Sequence, residues 1–153
     1  LDGASANAGH VGHITVEPNG RRCGCGARGC LEAEASGLAI EAITGRSPTE
    51  PTYEIMQRTG RYVGRAAGAL CNLLDIDLVV VAGSVAIGFA ATFLNAAQEE
   101  LSSVALLPYS RQARITPSRL GDRGALLAAG AVGIRGWQRE RARARAAPVV
   151  AEE

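Results

Sequence analysis

The stretch HITVEPNGRRCGCGARGCLE, residues 13–32, holds three of the chain's four cysteines. Cys23, Cys25 and Cys30 fall within eight positions, and His13 precedes the first of them by ten residues. This clustering is the most informative feature of the sequence, and it needs a chemical explanation.

Two explanations for the clustered cysteines are weak. Three sulfurs cannot form a closed set of disulfides among themselves, and a bridge between Cys23 and Cys25 would be strained because one residue separates them. A single nucleophile would make two of the three thiols redundant. The remaining cysteine, Cys71, lies in the apolar run GALCNLL, where a free thiol behaves as a small hydrophobic side chain.

Metal binding explains the cluster better. Zinc takes four ligands in a tetrahedron, from thiolates and imidazoles. The sequence offers one histidine and three cysteines as ligands: His13, Cys23, Cys25 and Cys30. Because the protein supplies all four ligands, the ion is expected to be structural and to fix a loop that has little core of its own. The interleaved glycines (Gly24, Gly26 and Gly29) are expected to allow unusual backbone angles around the ion.

The composition is that of an ordinary globular domain of 153 residues with a net charge of +1. A near-neutral chain gives no electrostatic reason to expect nucleic acid or a membrane as a partner. No apolar run reaches the length of a membrane span, and no secretory signal is visible.

The chain contains arginine but no lysine, which excludes a lysine-dependent phosphate loop. The chain opens on LDGASANAGH, without Met and inside a loop, so we expect a fragment of a longer protein.

Hydrophobic patterning predicts an α/β chain with crossover connections. A short strand is expected at 13–17, before the Pro18-Asn19-Gly20 turn. The remaining predicted elements are helices at 31–44, 51–74, 89–103 and 124–136, and strands at 77–84 and 113–118. The run DLVVVAGS is expected to be buried on both faces of a parallel sheet. The helix GALLAAGAVGIRG should pack tightly, and the charged tail, 138–153, should be frayed or disordered.

The run GHVGHITVEPNGRRCGCGARGCLEAEASG, residues 9–37, resembles the signature of the ROK family of repressors, open reading frames and sugar kinases. The resemblance implies the C-terminal lobe of an actin-like ATPase (ribonuclease H-like) fold with a zinc-binding loop. Residues 1–137 would form part of that lobe. The zinc and sugar loop would occupy 9–37, and helices and parallel strands would occupy 38–137.

The resemblance also implies roles for individual residues in sugar binding. His13 would bind zinc and lie against the sugar, while Glu32 would accept hydrogen bonds from sugar hydroxyls. The alternative for Glu32 is a solvated residue stabilised by the start of a helix. The family has Glu at the position of His10, so the identity of the sugar is open. His10 could serve a hydroxyl or merely line the loop.

The turn after VVVAG resembles the family's second nucleotide-binding turn, which would place Gly83 and Ser84 beside a nucleotide. A plain strand-to-helix turn is the alternative, since the family shows two or three consecutive glycines. The family's first phosphate motif and its catalytic Asp have no counterpart here. The resemblance therefore assigns no catalytic residue, and we expect this chain alone to be inactive as a kinase. ATP and Mg²⁺ are implied for the whole kinase.

Three functions remain open from the sequence. The first is part of a cytoplasmic, glucokinase-like ATP-dependent sugar kinase. The second is the sugar-sensing domain of a ROK-type transcriptional repressor, which would bind nucleic acid only through an upstream helix-turn-helix. The third is a zinc-stabilised oligomerisation module. A small-molecule sugar and a homodimer or homotetramer are the expected partners, and no membrane is expected.

Overall fold

In a computed structural model of the chain, residues 3–5 and 7–146 are described. Helices alternate with two strands, and a short 3-10 helix precedes the first and the last α-helix. The 3-10 helices are Val11–His13 and Gly121–Arg123. The α-helices are α1 (Leu31–Ala35), α2 (Gly37–Thr44), α3 (Tyr53–Leu74), α4 (Ser84–Val104) and α5 (Gly124–Ala146), and the strands are β1 (Leu78–Val81) and β2 (Arg114–Pro117). The α/β class predicted from the sequence is confirmed.

The segment around the cysteines is less regular than predicted. The expected strand at 13–17 is wrong, because its only ladder contact is an isolated antiparallel bridge between Thr15 and Cys30. The single helix expected at 31–44 is also wrong, because Ser36 is extended and separates α1 from α2. The Ser36 hydroxyl accepts a hydrogen bond from the Ala39 backbone N–H at 3.2 Å and begins α2. Gly45, at φ +66°, ends that helix after Thr44, which is the predicted C-terminal boundary.

Among the described elements, the α3 and α4 helices make the most extensive packing contact. Three glycines of α3, at four-residue steps, face α4 and let the two backbones approach closely. A Cβ added at Gly60 would lie 2.9 Å from Ala96 Cβ, and one added at Gly64 would lie 2.9 Å from Glu100 Cβ. Small and aliphatic residues fill one end of the contact, and two buried phenylalanines of α4, Phe89 and Phe93, fill the other. The two helices therefore form a tightly packed pair.

Strands β1 and β2 pair in parallel, with Leu78 opposite Arg114 and Val81 opposite Pro117. The α4 helix is the crossover between them and covers one face of this small sheet. The prediction that β1 is buried on both faces is wrong for this part of the chain. Leu78 is 53% exposed and Val80 is 56% exposed. An apolar groove of about 330 Å³ lies between β1 and α3.

The last helix, α5, continues through Ala146, past residue 136 and into the segment predicted to be a frayed or disordered charged tail. It also projects apolar side chains into solvent, among them Leu126 and Trp137, so the expected tight packing is wrong. The end of the predicted tail, 147–153, lies outside the described residues. No helix in the described ranges is both long enough and apolar enough to cross a membrane.

Candidate metal centre

The loop between the first 3-10 helix and α1 doubles back on itself twice. Its base is closed by a hydrogen bond from the Val16 backbone N–H to the Gly29 carbonyl, at 2.8 Å. Its tip is closed by one from the Cys23 N–H to the Ala27 carbonyl, at 2.9 Å. This folding brings the start and the end of the cysteine motif to one place.

Four side chains converge inside this loop: His13, Cys23, Cys25 and Cys30. One nitrogen or sulfur atom from each lies within 4.8 Å of the corresponding atom of every other. Cys23 and Cys30 are buried, whereas His13 and Cys25 are exposed. All four cysteines of the chain are free thiols, so no disulfide competes with this arrangement. The structure thus brings together the four residues predicted as metal ligands.

Two of the distances between donor atoms match those of a tetrahedral zinc site. His13 Nδ1 lies 3.6 Å from Cys23 Sγ, and Cys25 Sγ lies 3.6 Å from Cys30 Sγ. Zinc bonds of normal length place a nitrogen and a sulfur about 3.6 Å apart, and two sulfurs about 3.8 Å apart, at the corners of a tetrahedron. A disulfide would need the two sulfurs at about 2.05 Å. These two pairs therefore have separations expected of metal ligands, and Cys25 and Cys30 are too far apart for a disulfide.

As free thiols, the cysteines of the cluster do not ionise alike. Hydrogen bonding to the Ala27 backbone, and then to the neighbouring thiols, lowers the pKa of Cys25. Burial, reinforced by the two nearby sulfurs, raises the pKa of Cys30 to about 12. Cysteine must be a thiolate to bind a metal. A divalent cation is the group that offsets the repulsion among three closely spaced sulfur charges.

Of the three glycines expected to have unusual backbone angles, two do. Gly26 has a φ of +94° and Gly29 a φ of +68°, both in the region that favours glycine. A Cβ at Gly29 would overlap the carbonyl oxygen of Glu17. The expectation was wrong for Gly24, which is not among the residues with positive φ.

The residues predicted to bind sugar lie around the cluster but not in one pocket. Glu32 is an exposed residue in the first turn of α1. Its carboxylate lies close to the Gly12 backbone, because a Cβ added at Gly12 would lie 3.1 Å from Glu32 Oε2. Glu32 lines an open cleft of about 240 Å³ together with Arg21, Arg22 and Cys23. His10 does not line this cleft. Its ring lies nearly parallel to that of His13, with centroids 6.2 Å apart.

The predicted nucleotide turn lies at the carboxyl end of β1. Gly83, at φ +109°, precedes Ser84, the first residue of α4. No side chain caps this end of α4, so its first backbone N–H groups are available to an anion. A Cβ at Gly83 would meet nothing within 4 Å, so the turn is open. Neither residue lines the cleft beside Glu32.

Three residues of α3 that hold the cysteine loop in place were not predicted from the sequence. Glu34 is buried and pairs with Arg58 of α3. Tyr62 donates to Glu17 Oε2 at 3.3 Å, and Arg65 donates to the Val16 carbonyl at 2.6 Å. The steps from 58 to 62 to 65 place the three α3 side chains on one helix face. The helical spacing of these side chains could have been recognised in the sequence, but it does not identify the residues of the loop that they contact.

The family assignment comes from comparison with known proteins. The model of the ROK family matches residues 1–135. The chain belongs to the ROK family. The resemblance found in residues 9–37 is therefore confirmed.

Kinases and a regulator are both among the similar ROK proteins. The N-acetylmannosamine kinase of Pasteurella multocida (strain Pm70) is 35% identical over 137 residues, which cover 80% of this chain and 44% of the kinase. The ROK hexokinase of Thermus thermophilus matches with a TM-score of 0.63 and 28% identity, over 80% of this chain and 47% of the hexokinase. A ROK family transcriptional regulator, a homolog of the E. coli MLC protein, matches with a TM-score of 0.64 and 25% identity, over 76% of this chain and 36% of the regulator.

The chain spans less than half the length of each of these three ROK proteins. The similarity to the two solved structures supports the predicted actin-like ATPase fold. It does not separate a kinase from a regulator, because one of each is similar to this chain.

Proposed function

We propose that this chain is the zinc-stabilised, sugar-binding part of a ROK-family ATP-dependent sugar kinase. The observation that carries the proposal is the convergence of His13 and three cysteines within 4.8 Å, next to a cleft that Glu32 lines. The cleft combines an apolar lining with a few charged groups, Arg21, Arg22 and Glu32, that could orient a hydroxyl-rich ligand. The relatives that are N-acetylmannosamine kinases support the same reading.

Zinc would be held by His13, Cys23, Cys25 and Cys30, and its contribution would be to fix the loop. With no ligand position left for water, it would have a structural role only. Glu32 follows the last of these ligands by two residues, so a fixed loop also fixes the position of its carboxylate. The carboxylate would accept hydrogen bonds from sugar hydroxyls. The nearly parallel rings of His10 and His13 do not line the Glu32 cleft, so they would contact a sugar that extends beyond it.

The nucleotide would approach the turn at Gly83 and Ser84. Uncapped N–H groups and the positive end of the α4 dipole favour phosphate there. Mg²⁺ would accompany the phosphates and neutralise their charge. No residue of this chain is assigned as the base that takes the proton of the sugar hydroxyl.

Calorimetric titration of the chain with N-acetylmannosamine and with glucose tests the sugar site. Glu32→Gln should weaken binding of the preferred sugar by about 10- to 100-fold, because a hydrogen bond to a charged group is worth about 1.5–3 kcal/mol. Its zinc content should not change. The control, Glu50→Gln, alters an exposed carboxylate that pairs only with Arg46 in this structure, and it should bind sugar as the wild type does. Equal affinity in the wild type and Glu32→Gln would remove Glu32 from the site.

The alternative is the sugar-sensing domain of a ROK-type repressor, which the similarity to a ROK regulator supports. Nucleotide binding separates the two. A kinase is expected to bind a non-hydrolysable ATP analogue, and Gly83→Val should reduce that binding. Sugar binding with no detectable nucleotide binding would favour the repressor.

Self-association also belongs to this proposal. The exposed apolar residues of α5 would suit contact with a second copy of the chain: Leu126, Leu127, Val132, Ile134 and Trp137. Sedimentation of the chain as a monomer at micromolar concentration would contradict the expected homodimer or homotetramer.

A further inference from the structure

Glu34 is the most deeply buried charged residue of the described chain, with 1% of its surface exposed. A buried carboxylate is unfavourable unless charge and hydrogen bonds compensate it. Both Glu34 oxygens have partners. Oε1 accepts from the Arg21 backbone N–H at 2.5 Å, and Oε2 pairs with the guanidinium of Arg58.

The Glu34 carboxylate lies close in sequence to one proposed metal ligand and bonds to the backbone close to another. Glu34 follows Cys30 by four residues, and its partner Arg21 precedes Cys23 by two. One side chain therefore joins the segment after the last ligand to the segment before the first cysteine ligand. Gly20 makes room for it, because a Cβ there would overlap Glu34 Oε1.

Arg58 extends the connection to α3. Its guanidinium donates to the Glu34 backbone carbonyl at 2.7 Å as well as to the carboxylate. It also lies over the ring of Tyr62, 4.6 Å from the centroid. Arg58 projects from α3, the helix that is packed closely on α4. The ion pair thus fixes the loop relative to a stable helix.

We propose that Glu34 and Arg58 are positioning residues that keep the Cys23 turn in the conformation that binds metal. Neither side chain belongs to the ligand set. Loss of the pair would free the backbone at Arg21, so Cys23 would leave the ion more readily. The proposal rests on the proposed function, because it requires that the cluster binds zinc.

The test is the rate at which zinc passes from the chain to a chromogenic chelator. Glu34→Gln removes the charge and keeps the shape, and Arg58→Gln changes a residue that is partly exposed and should fold. Each variant should release zinc about 10- to 100-fold faster than the wild type. Because the two residues act through one contact, the double variant should release zinc no faster than the faster single variant.

A matched control separates positioning from general instability. Leu101→Ala leaves a cavity in the α3–α4 core, where Leu101 is fully buried away from the loop. It should lower the thermal midpoint but change the zinc release rate by less than about twofold, as expected for a distant site. The absorption spectrum of the Co²⁺-loaded protein gives a second readout. It should shift in Glu34→Gln and Arg58→Gln, and stay as in the wild type in Leu101→Ala.

The outcomes distinguish this inference from the proposed function. A wild-type chain that binds no zinc would defeat both. A wild type that binds zinc tightly, with both ion-pair variants releasing it at the wild-type rate, would overturn only the positioning role. Faster release from Leu101→Ala by the same factor would overturn it as well, because instability would then explain the effect.

Discussion

Substitution by alanine should change zinc affinity to a different extent at each of the three glycines between the cysteine ligands: Gly24, Gly26 and Gly29. At Gly24 the backbone angle is not in the positive region, and a Cβ would meet nothing within 4 Å. At Gly26 the space is also open, but φ is +94°. At Gly29 φ is +68°, and the Cβ would overlap the Glu17 carbonyl. Zinc affinity should therefore fall in the order Gly24→Ala, Gly26→Ala, Gly29→Ala, with the last change the most severe.

The structure allows the size of each effect to be worked out. A left-handed backbone angle costs about 1–2 kcal/mol for a residue with a Cβ, which is the whole penalty expected at Gly26. At Gly29 the backbone must also move, which endangers the hydrogen bonds that its carbonyl accepts from Val16 and Glu17 and that its N–H donates to Arg21. At about 1 kcal/mol each, these bring the loss to about 4–5 kcal/mol. That corresponds to roughly a thousandfold weaker zinc binding.

Competition with a fluorescent chelator measures the affinity of each variant. Gly24→Ala should lie near the wild type, Gly26→Ala about tenfold weaker, and Gly29→Ala near or beyond the limit of the assay. Circular dichroism should show that the α3–α4 helices remain in all three. If Gly29→Ala bound zinc as tightly as Gly24→Ala, the loop would not have the backbone described here.

Two further predictions concern the packed helices. Gly64→Ala should lower the free energy of unfolding in urea by about 1–3 kcal/mol, because its Cβ would lie 2.9 Å from Glu100 Cβ. Gly88 lies in α4 where an added Cβ would meet nothing within 4 Å, so Gly88→Ala should raise the free energy of unfolding by about 0.5–1 kcal/mol. A Gly88→Ala variant less stable than Gly64→Ala would contradict the α3–α4 contact. Burial, and then the charge of Asp77, raises the pKa of the Cys71 thiol. The protonated Cys71 thiol therefore contributes its full share of the free energy of unfolding at pH values below the pKa of cysteine in the unfolded chain. That contribution is lost as pH rises through the higher pKa of the folded protein. Cys71→Ala should therefore flatten the alkaline decline in urea stability, and an unchanged decline would contradict the assignment.

The convergence of His13, Cys23, Cys25 and Cys30 was predictable because the four residues are close in sequence. Their residue types are those that zinc sites use, which is why a metal was expected there. The same run carries the ROK resemblance. The long helix α3 was also predictable, since its apolar residues recur at helical spacing over many turns.

Contacts between distant segments were not predictable. No sequence pattern singles out Glu34, and only the fold shows that Arg58 faces it from α3. The break at Ser36 depends on a side-chain hydroxyl that competes with the helix for a backbone N–H. The apolar run of β1 indicated burial on both faces, yet within the described chain only one face is covered. Patterning states which residues favour burial, but it does not state what buries them.

X-ray absorption at the zinc edge, with metal analysis of the same dialysed sample, tests the central claim most directly. The account predicts one zinc per chain, with three sulfur neighbours at about 2.3 Å and one nitrogen at about 2.0–2.1 Å. A folded chain that retains no metal, or a zinc ion surrounded by oxygen, would contradict it.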